Sequence, residues 1–358
     1  MNRFIAVEAN VGETRTVLVE DGRVVELSLE RWSEADSRAH AASAYMGRVR
    51  RVDGSLNASF VDLGFGPDGF LPFGKAGRPK GMHEGAAWPV KVTREAFGEK
   101  GPTLKIIEAD LAEDAPCLLD AAPSIAEQLA ARYPDVRVLW ADETEIDIAE
   151  ALDEALSRQV DIPGGGHLVI EPTAALTAID VDAGTRTAAG GAEKLAGDLN
   201  RSAAKESARQ IRLRGLGGVI AIDFVHMRDR KQRSEIEQIM RRAFKRDAAR
   251  VDVAPMSPFG IVELARQRTG RTLAEIMLGA DGHLTIESCA LNALRQLELE
   301  GRAVRGRQPV LRVSGLVAQW LTDHDDLWRS AMNERLGPRF TVESVDDFSD
   351  DKFDIAMQ

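Results

Sequence analysis

Two stretches decide the fold: Ala175-Leu176-Thr177-Ala178-Ile179-Asp180-Val181-Asp182 and Leu216-Gly217-Gly218-Val219-Ile220-Ala221-Ile222-Asp223-Phe224. Each is a strand-length apolar run that closes on a carboxylate. A charge at the end of a buried strand is costly unless it is paired or holds a metal. Set side by side in a sheet, the two strands bring Asp180 and Asp223 to one edge, and alternation puts Asp182 on the same face as Asp180. Three carboxylates without thiol or imidazole are an all-oxygen set, suited to Mg2+ or Mn2+ and not to zinc. Spacing alone leaves a second reading open, in which these aspartates cap helices or pair with nearby arginines. The second run is apolar throughout and predicts a central strand covered on both faces.

Working outward, Leu195, Leu199, Ala203 and Ile211 recur at helical spacing between the two strands, which predicts a helix over 191–213 ended by Gly215 and Gly217-Gly218. A second helix is expected over 232–248, with Ile236, Ile239, Met240 and Phe244 on one stripe. The triple glycine Gly164-Gly165-Gly166 lacks the frame of a phosphate-binding loop and reads as a tight turn before a strand. Toward the N-terminus, residues 1–30 read as a small sheet with an Asp21-Gly22 hairpin turn. Residues 45–107 give short glycine-rich strands, the pattern of a small closed barrel. Helices are expected over 124–132 and 146–158, and near 287–300 before a small αβ terminus. On the barrel, Phe60 and Phe70 bracket a glycine-rich turn among Arg48, Arg50, Arg51, Lys91 and Lys100, as in folds that stack single-stranded bases. The alternative is that both phenylalanines are core.

With 358 residues, 44% hydrophobic and 29% charged, the composition is that of a globular chain of two or three domains. Two cysteines, Cys117 and Cys289, exclude a disulfide framework and a cysteine zinc site and suit a reducing, cytoplasmic setting. Neither a signal-peptide core nor a membrane-length apolar run is expected. The net charge of -11 argues against nucleic acid until it is divided along the chain. Residues 201–250 hold fourteen Lys or Arg against six acids, or +8, whereas residues 108–154 hold fourteen acids against two arginines. The six histidines form no HxH or HExxH, and no serine sits in GxSxG, which removes the commoner zinc and nucleophile chemistries.

Taken in order, these motifs resemble the ribonuclease E/G family along nearly the whole chain. The carriers are Tyr45-Met46-Gly47-Arg48-Val49 through Asp62, Gly69-Phe70-Leu71-Pro72, the two aspartate phrases, Arg209-Gln210-Ile211-Arg212-Leu213-Arg214, and Ser257-Pro258-Phe259-Gly260-Ile261-Val262-Glu263 with Arg266-Gln267-Arg268. The resemblance implies an α/β (α+β multidomain) fold: a ribonuclease-H-like scaffold over 1–38 and 118–158, an S1-like OB barrel inserted over 39–117, a DNase-I-like catalytic domain over 159–285 and a small αβ domain over 286–358. It implies a single-strand-specific, Mg2+-dependent (or Mn2+-dependent) endoribonuclease of RNA processing or turnover, leaving 5′-phosphate and 3′-hydroxyl ends. Asp180 and Asp223 would hold the metal, with Asp182 a third catalytic carboxylate; Phe60, Phe70, Lys100, Arg48, Arg266 and Arg268 would contact RNA.

The sequence departs from the family pattern in four places. Ala174 stands where the family often has glutamate, and Asp182 where it usually has asparagine. Leu278-Gly279-Ala280-Asp281-Gly282-His283 occupies the place of the zinc-linking cysteines, so neither zinc nor a zinc-linked dimer is expected. The Arg-Thr phrase of the 5′-monophosphate sensor is not found, which predicts internal entry on RNA, and no long scaffold tail is expected. The competing functional readings are an RNA-binding protein of the same fold with weak or no catalysis, for example in rRNA maturation, and a metal-dependent DNase or phosphodiesterase.

Overall fold

Alternating apolar strands open the chain, and in the computed structural model β1 (Arg3–Asn10), β2 (Glu13–Glu20) and β3 (Arg23–Arg31) pair in that order. The structure describes residues 2–34, 37–97, 100–110, 115–184, 192–304 and 306–358. The expected Asp21-Gly22 turn forms, with both residues at positive φ.

The barrel follows from five short strands: β4 (Ala44–Asp53), β5 (Ala58–Asp62), β6 (Gly69–Pro72), β7 (Ala87–Arg94) and β8 (Thr103–Ile106). Their order is β5-β6-β8-β7-β4, and β4 pairs back onto β5 to close the barrel. A bulge between Val49 and Arg51 shifts the register of β4 against β5, the local bend such closure needs. Val49, Val61, Leu71, Val90, Val92 and Leu104 fill the interior. The strand β9 (Cys117–Asp120) adds to β4, and β10 (Arg137–Trp140) adds to β1. Helix α1 (Ile125–Arg132) starts in a capping box made by Ser124 and Glu127, and α2 (Ile148–Leu156) starts on the Asp147 carboxylate.

A six-stranded sheet carries the two aspartate phrases. Its strands are β11 (Gln159–Asp161), β12 (His167–Pro172), β13 (Thr177–Asp182), β14 (Gly218–Asp223), β15 (Val251–Val253) and β16 (Ile261–Arg266), in the order β11-β12-β13-β14-β16-β15. Only β13 and β14 are parallel, because the long helix α3 (Ala192–Leu213) carries the chain back between them. Leu199, Ala203 and Ile211 of α3 and Ile236 and Met240 of α4 (Arg230–Ala243) pack on Ile179, Val181, Ile220, Ile222 and Val262. The expected burial of β14 on both faces is corrected: Ile220 and Ile222 are buried, whereas Val219 is 49% exposed. Its apolar residues are nonetheless continuous because the outward positions are filled by Val219 and Ala221, with the helices packing on the other face.

The C-terminal part holds α5 (Leu273–Met277), α6 (Ile286–Ala303), β17 (Pro309–Val313), α7 (Gly315–Asp323), α8 (Asp325–Leu336), β18 (Thr341–Ser344) and β19 (Phe353–Met357). Its sheet, β18-β17-β19, packs on the helices through Leu294, Leu297, Leu311, Trp328 and Met332. The chain divides into two compact units, one of Met1–Ala6, Val17–Leu27 and Glu143–Leu273, the other of Val7–Thr16, Ser28–Asp142 and Ala274–Gln358. No helix among the described residues is long and apolar enough to cross a membrane.

Candidate active site

The parallel register sets the centre of the site. Thr177 lies opposite Ile220, and three residues on Asp180 lies opposite Asp223, as Cα partners at the carboxyl ends of β13 and β14. Both side chains are on the exposed face. Partial burial and then the charges of Asp223 and Asp182 push the Asp180 carboxyl above its ordinary value. Crowded carboxylates at a strand edge are an arrangement that a divalent cation relieves.

Asp182 has other engagements. Its Oδ2 is 3.2 Å from His167 Nε2, and its Oδ1 accepts from the Gly184 amide at 2.8 Å. His167 is its Cα partner across β12 and β13. The triple glycine builds this register: Ile162 N donates to Gly166 O at 2.9 Å and turns β11 into β12. A Cβ on Gly166, at φ +81, would lie 2.6 Å from the Asp182 carbonyl, so only glycine lets the hairpin close against β13. His167 was not among the residues expected at the site. The signal was the glycine turn just upstream, which fixes the antiparallel register. His226, the histidine nearest Asp223 in sequence, is exposed.

The loop after Asp223 is held from two sides. Buried Asn200 of α3 donates to Val225 O at 2.7 Å and accepts from Val225 N at 3.1 Å. Glu193 accepts from the Arg228 amide at 2.9 Å and from the Asp229 amide at 3.3 Å, and Asp229 caps α4. Arg228 is thereby presented to solvent on an anchored loop, and Arg230 and Lys231 on the first turn of α4, five to eight residues past Asp223.

Among the described residues, no group of three or more His, Cys, Asp or Glu is placed to hold a metal ion. The donors set opposite one another are the Asp180 and Asp223 carboxylates. Two carboxylates fit Mg2+, which keeps several waters and takes substrate phosphate oxygens as its remaining ligands. Cys117 and Cys289 are free, and burial pushes the Cys289 thiol up to about 11.

The residues expected on RNA divide into two groups. Phe60 and Phe70 are Cα partners on β5 and β6, half-buried and outside the barrel core, with ring centroids 5.9 Å apart. The Arg51 guanidinium lies 4.4 Å over the Phe60 ring. Lys100 is exposed, and Phe70 N donates to Pro102 O at 2.7 Å, so the strand carrying Phe70 and the loop after Lys100 are tied together. Arg268 is exposed as well.

Arg48 and Arg266 are committed elsewhere. Arg48 donates to Ala115 O at 2.6 Å and to Gly85 O at 3.0 Å, pinning barrel loops. Arg266, 7% exposed, holds both oxygens of Asp247 at 2.8 and 2.9 Å and donates to Leu216 O at 2.7 Å. That leaves its guanidinium satisfied inside the protein.

The basic helix also turns inward. Arg209 donates to Glu206 at 2.8 Å, to Val24 O at 2.8 Å and to Glu154. Arg23 reaches Glu206 at 2.6 Å, Arg212 reaches Glu26 at 2.8 Å, and Arg214 donates to Gln210 at 2.8 Å. Burial pulls Arg214 down to about 10, which still leaves it charged at neutral pH. The Arg-Gln-Ile-Arg-Leu-Arg phrase is thus an internal ion-pair network.

The sequence pattern of the ribonuclease E/G family matches residues 76–269, more than half of the chain. The chain belongs to that family. It is 36% identical over 193 residues to ribonuclease E of Escherichia coli, covering 52% of this chain and 18% of that protein. To ribonuclease E of Nostoc sp. it is 41% identical over 129 residues, covering 36% of this chain and 19% of that protein. To ribonuclease G of Salmonella typhimurium it is 25% identical over 218 residues, covering 59% and 45%. The matched stretch thus spans about a fifth of the two ribonucleases E and under half of the ribonuclease G. Family membership takes in both aspartate phrases and the strand pair that joins them.

Proposed function

We propose that this chain is a cytoplasmic, Mg2+-dependent (or Mn2+-dependent) endoribonuclease that cuts single-stranded RNA to 5′-phosphate and 3′-hydroxyl ends in RNA processing or turnover. The observation that carries the reading is the opposition of Asp180 and Asp223 on parallel strands in a chain of the ribonuclease E/G family. Asp180 and Asp223 would hold the cation, which when bound polarises a phosphoryl oxygen and lowers the pKa of a water ligand. Asp182, fixed by His167 and the Gly184 amide, adds negative potential at the same edge. Arg228, Arg230 and Lys231 supply phosphate contacts beside the cut, and the loop and helix start that carry them are already anchored, so little ordering cost remains. On the barrel, Phe60 and Phe70 stack unpaired bases and Lys100 meets the backbone, which selects single strands because a duplex hides its base faces.

The test uses a fluorescent A/U-rich single-stranded RNA with Mg2+, the wild type, Asp180→Asn, Asp223→Asn and a DNA copy of the substrate. Cutting of RNA by the wild type and its loss in both variants is expected. Undiminished cutting by Asp223→Asn would remove the site assignment. Tight RNA binding by a wild type that never cuts would move the chain to the RNA-binding reading.

A further inference from the structure

We propose that Phe259 is a base-stacking platform beside the carboxylate pair, positioning a nucleotide next to the scissile phosphate. The proposal rests on the ribonuclease reading above. Phe259 is 82% exposed, the most exposed large apolar side chain among the described residues. A lone exposed phenylalanine is unremarkable in a mobile loop, but this one tops a turn braced on every side. Ser257 Oγ accepts from the amides of Phe259 at 3.3 Å and Ile261 at 3.2 Å. Ser257 N donates to Ile261 O at 2.8 Å, and Gly260 N donates to Ser257 O at 3.1 Å. Met256 N is held by Glu237 of α4 at 2.8 Å.

The turn is also tied to the site strand. Phe224 N, the residue after Asp223, donates to Gly260 O at 3.3 Å, and Gly260 at φ +96 brings the turn so close that a Cβ would meet Phe224 O at 3.3 Å. Asp223 and Ile261 are Cα partners, so Phe259 starts two residues from a position directly opposite the carboxylate. Antiparallel partners are about 5 Å apart and two residues add at most about 7 Å, which keeps the Phe259 backbone within roughly 12 Å of Asp223. An aromatic face held there, on the same loop cluster as exposed Arg228, Arg230 and Lys231, meets a base while the cations meet its phosphates. A protein partner would want a wider apolar patch than one ring; the flanking residues Ser257, Pro258 and Gly260 do not provide it.

The experiment separates stacking from cleavage. Binding is measured by fluorescence anisotropy in the Asp223→Asn background, where the RNA stays intact, with Phe259 or with Phe259→Ala. A single abasic nucleotide is scanned along the RNA. Truncating the ring is expected to weaken binding roughly five- to a hundredfold, the range that base–aromatic stacking supports. At one register the abasic RNA should bind more weakly to the parent and no differently to the alanine variant. Phe259→Trp should restore affinity and Phe259→Leu should not. In the active protein, Phe259→Ala should raise KM with less effect on kcat. Equal abasic penalties with and without the ring would overturn the proposal. So would a loss of self-association in Phe259→Ala with unchanged RNA affinity, which would reassign the ring to a contact between copies. If the wild type binds but never cuts, the ribonuclease reading fails while the abasic cycle still reports on stacking.

Discussion

Replacing Arg209 with methionine tests whether the basic helix serves the fold or the RNA. Arg209 is 8% exposed and lies between Glu206, Glu154 and the Val24 carbonyl. Methionine keeps most of the volume and removes the charge, leaving Glu206, with 2% of its side chain exposed, to Arg23 and Gln210. Breaking a buried pair from one side costs about 3–5 kcal/mol, and the surviving Arg23 contact reduces that to about 2–4 kcal/mol. For a unit of this size that is a melting-temperature loss of roughly 5–12 °C.

The acid side should move as well. Burial pushes Glu206 up, but the hydrogen bonds from Arg209 and Arg23 outweigh it and hold the carboxyl below 4.5. A depressed carboxylate contributes stability above its unfolded pKa and loses it as pH falls through the folded value. Without Arg209, burial has less opposition, so that loss should begin at higher pH. Urea titrations from pH 3 to 7 measure both effects. In parallel, the salt dependence of RNA binding should be unchanged, because each single-strand phosphate contact removed would lower the slope by about 0.7. A variant within about 1 kcal/mol of the wild type that loses one contact from the salt slope would refute the internal-network assignment.

Three further outcomes are expected. Gly166→Ala should destabilise the unit that carries Asp180 and Asp223 by about 1–3 kcal/mol, since a Cβ would meet the Asp182 carbonyl at 2.6 Å and φ is positive; urea midpoints check it. Asp180→Asn should raise the melting temperature in EDTA while removing Mg2+-dependent cutting, because the pair repels without a cation; scanning calorimetry and the oligonucleotide assay read the two effects. The Glu95 carboxylate, 3.7 Å from the ring, raises His40 above 6.5 against its burial, so stability from this pair is full below 6.5 and lost as pH rises through the folded value. Glu95→Gln should flatten that dependence in unfolding curves taken from pH 5 to 9.

Much of the site was legible because strand pairing and alternation are local rules. Two apolar runs separated by one amphipathic helix form a parallel pair, and the matching phrases Ala178-Ile179-Asp180 and Ala221-Ile222-Asp223 put the two aspartates in register. The barrel was legible for a similar reason, its short strands being punctuated by glycine. What could not be read was the destination of long cationic side chains. Arg209, Arg212 and Arg266 look like phosphate contacts in a charge count, yet Glu154, Glu26 and Asp247, which hold them, lie elsewhere in the chain and become neighbours only on folding. His167 was hidden likewise, because its role depends on a cross-strand partner fifteen residues away. The open face of β14 was misjudged because valine and alanine suit a half-covered strand as well as a buried one.

The unit that carries Asp180 and Asp223 is stitched from three pieces of chain, the first two within residues 1–27. Glu20, Val24 and Glu26 wait more than 180 residues for Arg209 and Arg212. During synthesis the N-terminal segments therefore emerge long before the helix that neutralises them, and the sheet edge bearing Asp223 cannot close until β16 follows. The strand that pairs with Asp223 is thus made more than two hundred residues after the first pieces of its unit.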